Sequence, residues 1–121
     1  MQWTRVTTTA ELDQWHGVHE AAYAHDFVAL PADPIGEFRP LLRHELRGNF
    51  RTELWLGTVG DPVVAALLKL PVHDNLDEVE IELSVMPWAR RRGHGTEAAS
   101  RLADRCRALG RTRAVAQVQS P

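Results

Sequence analysis

The residues with the most chemical content lie in one run, Arg90-Arg91-Arg92-Gly93-His94-Gly95. Three guanidinium groups suit an anion, because arginine donates charge-assisted, bidentate hydrogen bonds to phosphate. The two glycines let the backbone turn tightly and let a ligand approach it closely. A helix beginning at this point would add unpaired N–H groups and the positive end of its dipole. A diphosphate fits such a turn. The run is not a P-loop, since no Gly-Lys-Ser or Gly-Lys-Thr occurs, and it lacks the third glycine of the dinucleotide fingerprint. Just upstream, Asp74, Asp77, Glu78, Glu80 and Glu82 cluster, so an acidic segment leads into a basic one. The single cysteine, Cys106, excludes an internal disulfide and any cysteine-clustered metal site. The six histidines are scattered without metal-ligand spacing, so no metal is expected.

These residues need elements to hold them. Val79, Ile81, Leu83 and Val85 alternate with Glu78, Glu80, Glu82 and Ser84, which predicts a strand over 78–86 ended by Pro87. After the glycines, Ala98, Ala99, Leu102, Ala103, Cys106 and Leu109 form one helical stripe capped by Gly110. Residues 113–119 read as a final strand. Upstream, 2–8 reads as a short strand. A helix follows over about 10–24, with Thr9 as N-cap and Leu12 and Trp15 opening its apolar stripe. Residues 28–34 form a proline-interrupted loop, and Phe38, Leu41, Leu42 and Leu46 predict a second helix over about 35–47. Residues 52–58 and 63–70 read as a hairpin joined at Gly60-Asp61-Pro62. The order β-α-α-β-β-β-α-β predicts an α/β (α+β) fold: helices covering a sheet.

The chain has 121 residues, 44% hydrophobic and 25% charged, which suits one domain over 1–121. No apolar stretch reaches the length of a membrane span, and the first residues do not read as a secretory signal. A cytoplasmic protein is the expectation. The formal net charge of -2 and the acidic stretch argue against a nucleic-acid partner, despite the arginines.

Val85-Met86-Pro87-Trp88-Ala89-Arg90-Arg91-Arg92-Gly93-His94-Gly95 resembles the signature of the GNAT superfamily of acyl-CoA-dependent N-acetyltransferases. That signature reads (Arg/Gln)-x-x-Gly-x-(Gly/Ala) after a strand ending near Val-x-Pro. Arg90, Gly93 and Gly95 take its fixed positions, and the order of elements matches the family core through the fifth strand. Leu30–Pro34 and Glu78–Val85 also resemble the first domain of tandem-GNAT actinobacterial proteins.

The resemblance implies acetyl-CoA as cosubstrate, in a wedge between strands 78–86 and 113–119. Its pyrophosphate would rest on the Arg91–Thr96 backbone, with Arg90, Arg91, Arg92, Gly93, His94, Gly95 and Thr96 as binding residues. Its pantetheine arm would pair with Leu83–Val85, and an N–H of Val85 or Met86 would polarise the acyl carbonyl. A small-molecule or peptide amine would attack the thioester directly, by positioning and electrostatic stabilisation. Glu80 or Glu82 would serve as general base, with His73 and Asp74 near the acceptor and Cys106 an inert, buried thiol. The family carries a further helix and two strands after the fifth strand, and often a tyrosine that protonates the leaving thiolate. Here the only tyrosine, Tyr23, is on the first helix. The resemblance therefore fits a fragment or a sheet completed by a second copy or second domain. It also fits a non-catalytic structural or dimerisation module.

Overall fold

The structure, a computed structural model, describes residues 1–26, 33–43 and 49–117. Five strands form one sheet in sequential order: β1 Gln2–Arg5, β2 Phe50–Val59, β3 Asp61–Pro71, β4 Glu78–Val85 and β5 Arg113–Gln117. Neighbours from β1 to β4 are antiparallel and β4–β5 is parallel. Helices α1 (Thr9–Asp26) and α2 (His94–Ala108) cover opposite faces. Helices covering a sheet are what the order of elements predicts, and the mixed, mostly antiparallel pairing is what the family resemblance implies.

Local chemistry sets the helix ends. Thr8 and Glu11 form a capping box: Glu11 N–H donates to Thr8 Oγ1 at 3.2 Å, and Thr8 N–H donates to Glu11 Oε1 at 3.1 Å. The cap is thus Thr8, one residue before the expected Thr9, and β1 stops at Arg5 because Thr7 and Thr8 already serve the helix. The stripe Leu12, Trp15, Val18, His19, Ala22 then faces the sheet. Trp15 is buried and its indole N–H donates to the Ala66 carbonyl at 3.0 Å, fixing α1 to the middle of β3.

The expected helix over 35–47 is not an α-helix where it is described. Two 3₁₀ turns, Ile35–Glu37 and Arg39–Arg43, replace it, and 44–48 lie outside the described residues. Pro40 supplies the reason. It lacks the N–H an α-helix would need there, and its ring would clash one turn back. Bonds to the third residue back, such as Leu41 N–H to the Phe38 carbonyl at 3.0 Å, take over. Of the predicted 28–34 loop only Asp33 and Pro34 are described, and 118–119 of the last predicted strand also lie outside.

The strand pleat sorts the core. Leu54, Leu56 and Ala65 face α1 with Phe38, while Ala66, Leu68, Leu70 and Val79 face α2 with Leu102 and Cys106. Cys106 is buried, and burial pushes its thiol up, which suits an inert core residue. On the α2 face lies a charged group that the sequence reading did not single out. Glu53, between Thr52 and Leu54 on β2, is buried. It accepts two bonds from Arg105 (2.9 and 2.7 Å) and one from the Trp55 indole (3.1 Å), and it lies 3.3 Å from Arg5. Burial alone would raise its carboxyl, but these partners together hold it below the ordinary range.

Candidate functional site

The site is built where β4 runs past β5. Their described pairing spans Glu78↔Arg113 to Glu82↔Gln117, while β4 continues to Val85. Met86 N–H donates to the Val63 carbonyl of β3 at 2.8 Å. Across a trans peptide, the Val85 carbonyl therefore points the opposite way, to the β5 side. The antiparallel register with β3 sends the Val85 N–H and the Leu83 carbonyl in that direction too. A short ledge of backbone groups thus faces the wedge. Of the two donors expected to polarise an acyl group, Met86 is already bonded within the sheet, and Val85 N–H is the one turned to the wedge.

Pro87–Ala89 forms a 3₁₀ turn anchored by Ala89, which is buried against Val63, Val64 and Ala98. The backbone then passes through two left-handed residues, Arg91 (φ 63) and Gly93 (φ 82), before α2 starts at His94. Gly93 requires glycine for its conformation and not for space, since a Cβ there would meet nothing within 4 Å. Gly95 is different. A Cβ there would sit 3.6 Å from Val85 Cγ2, an ordinary contact. The start of α2 has no side-chain cap, in contrast to the boxed start of α1, and its first intrahelical bond is Glu97 N–H to the Gly93 carbonyl. The N–H groups of His94, Gly95 and Thr96 precede that bond and lie where the dipole is positive.

The three arginines separate. Arg91 and Arg92 are exposed, with Arg92 near the Trp88 ring, centroid distance 6.0 Å. Arg90, expected to contact phosphate, has its guanidinium engaged within the fold. It donates to both oxygens of Asp26 (2.7 and 2.9 Å) and through Nε to the Val85 carbonyl (3.2 Å). Arg90 holds the Asp26 carboxyl below the ordinary range, with a smaller contribution from His25. Sequence reasoning missed Asp26, whose partner stands 64 residues away. A negative charge in the last turn of a helix, against the dipole, was the available signal.

Glu80 and Glu82 project on the α1 side of β4, as the alternation predicts, into a cleft of about 420 Å³. Phe38, Leu41, Phe50 and Leu67 give it apolar walls, and Asp33 and Glu37 add two more acids at its edge. Lys69 lies in the same cleft with its ammonium 4.4 Å from the Phe50 centroid. Burial pushes the Glu82 carboxyl up, and the neighbouring Asp33 and Glu80 push the same way against Lys69. A second hollow of about 240 Å³ shares Phe50 and Glu80 and adds Asp74, Glu78 and Val115. Of the two loop residues predicted near an acceptor, Asp74 lines this hollow and His73 is exposed in the β3–β4 turn.

No family profile and no curated protein matches the sequence. Solved structures do match the fold. A tandem GNAT protein from the clavulanic acid biosynthesis pathway superposes with a TM-score of 0.80 at 23% identity over 97% of this chain. The chain spans 36% of that protein's length. An aminoglycoside acetyltransferase from an uncultured soil metagenomic sample, in complex with sisomicin, matches with a TM-score of 0.72 at 12% identity, covering 97% of this chain and 76% of its own. The ribosomal-protein-S18-alanine N-acetyltransferase from Escherichia coli matches with a TM-score of 0.63 at 18% identity, covering 97% and 67%. The chain has the GNAT fold. Among the described residues, no helix is long and apolar enough to cross a membrane.

Proposed function

We propose that this chain binds acetyl-CoA in the wedge between β4 and β5 and transfers its acetyl group to an amine. The observation that carries the reading is the junction of β4 and α2. A backbone ledge free of β3 leads to an uncapped helix start, with two left-handed residues between them. The pyrophosphate would rest on the N–H groups from Arg91 to Thr96, with the exposed Arg91 and Arg92 beside it. The pantetheine arm would lie along Leu83 to Val85.

Glu82 is the residue we assign as base, with Glu80 beside it. A carboxyl raised by burial retains a proton more readily and so accepts one from an ammonium more readily. The deprotonated amine nitrogen attacks the thioester carbon, and Val85 N–H donates to the oxygen as it gains charge. The C–N bond forms, the C–S bond breaks, the nitrogen releases its excess proton to solvent, and the leaving coenzyme thiolate takes one up, which gives the amide and the free thiol. The acidic lining of the cleft favours an acceptor that is cationic in solution, a small amine or a basic peptide. The test is thiol release from acetyl-CoA across a panel of amines. Release with amines, but not with neutral alcohols, supports the reading.

A second reading is a structural or dimerisation module. It is favoured by the outer side of β5, which has no neighbouring strand among the described residues and carries Val115 half-exposed. A second copy or a further domain would then complete the sheet, and light scattering distinguishes the free chain from a dimer.

A further inference from the structure

The Asp26 side chain is only 8% exposed, although it ends α1 where the helix dipole disfavours an acid. Its compensation is Arg90, gripped by two parallel bonds. The third Arg90 donor reaches the Val85 carbonyl, the group that faces the wedge. On its other side the end of β4 is held by Met86 N–H on Val63. The described β4–β5 pairing stops at Glu82, so it does not extend to Val85. Among the described residues, Arg90 therefore supplies the side-chain hold on this strand end from the wedge.

We infer that Asp26 and Arg90 form a clamp that positions the Val85 peptide groups for acyl transfer, so that Arg90 is a positioning residue and not a phosphate ligand. This rests on the acetyl-transfer reading above. Two consequences follow from the geometry. First, the Val85 carbonyl is a dipole whose negative end points into the wedge, where it would repel a developing oxyanion. Arg90 Nε covers it. Second, the Val85 N–H is on the next peptide back, oriented by the β3 register, and holding the carbonyl restricts the Val85 torsions that relate the two groups. Misplacement of such a group by about 1 Å can cost on the order of 10²-fold in rate. The same clamp ties the C-terminus of α1 to the coenzyme loop.

The experiment uses the whole chain, steady-state acetyl transfer to an amine that the wild type accepts, and amide hydrogen exchange at Met86, whose N–H shares a peptide with the Val85 carbonyl and is bonded to Val63. Asp26→Ala and the isosteric Asp26→Asn are expected to lower kcat about 10- to 100-fold, with the KM for acetyl-CoA changed less than about threefold. Met86 exchange should quicken at least about tenfold, and Asp26→Glu should recover part of both effects. The double variant Asp26→Ala/Arg90→Ala should be no worse than Arg90→Ala alone, because the two act as a unit. A raised KM with unchanged kcat in Arg90→Lys would mark a phosphate ligand and overturn the clamp. Lowered kcat with unchanged Met86 exchange also overturns it, as does an Asp26→Asn variant indistinguishable from wild type. A folded wild type that neither binds acetyl-CoA nor releases thiol overturns the reading of the site, and the clamp's catalytic role with it.

Discussion

Replacing Glu53 by alanine removes the carboxylate that Arg5, Arg105 and Trp55 share. Its side chain is 2% exposed, so the lost bonds are not replaced by water at the same place. Breaking a buried pair by deleting one partner costs about 3–5 kcal/mol. The cation partners temper this. Arg5 and Arg105 keep 26% and 32% exposure and can turn to solvent, so the expected loss sits at the low end, about 3 kcal/mol. For a chain of this length, with an unfolding entropy of about 2 cal/mol/K per residue, that is a fall in Tm of about 12 °C. Glu53→Gln retains the shape and one acceptor and should lose about 2 kcal/mol. Urea unfolding gives the free energies, and calorimetry gives Tm. Because the folded carboxyl lies below its ordinary value, its contribution is present above the unfolded pKa and fades as pH falls through the folded one. The gap between wild type and Glu53→Gln should therefore narrow on acidification. Arg105 sits on α2, so the variant should also loosen the helix whose start forms the proposed coenzyme site. A Tm change below about 4 °C for Glu53→Ala would refute the claim that this cluster tethers α2 to the sheet.

Three further outcomes follow from the site. Glu82→Gln should lower kcat by about 10²–10⁴-fold while acetyl-CoA affinity stays unchanged, measured by thiol release and calorimetry. In the wild type, kcat/KM should rise with pH through an inflection above the ordinary carboxylate range, because Glu82 must lose its proton to act and burial raises its pKa. Gly93→Val places a β-branched residue at φ 82, costing about 1–2 kcal/mol of stability, and should weaken acetyl-CoA binding by more than about tenfold, read by melting and titration.

The parts of this molecule governed by local periodicity were legible before any coordinates. The alternation from Glu78 to Val85 and the stripe from Ala98 to Leu109 are each properties of one segment, and both became the elements expected. The loop between them was legible because glycine spacing reports backbone conformation, and Gly93 does adopt a positive φ. The segment from Ile35 was misread because leucine spacing outweighed Pro40, whose missing N–H forces shorter-range bonds. The cap at Thr8 was also in the sequence, as Thr-x-x-Glu, but three successive threonines offered three starts. Partners distant along the chain were not legible. Glu53 with Arg105 and Asp26 with Arg90 meet only when both helices dock on one sheet. That Glu80 and Glu82 line a cleft depends on Phe38 and Phe50, which stand far from them along the chain.

The most direct test of the central claim is a calorimetric titration of the folded 121-residue chain with acetyl-CoA. Saturable binding with a Kd on the order of 10 μM, about −7 kcal/mol, is predicted, with the heat lost in Gly93→Val. No heat of binding at millimolar coenzyme, from a sample that melts cooperatively, would contradict a coenzyme site between β4 and β5.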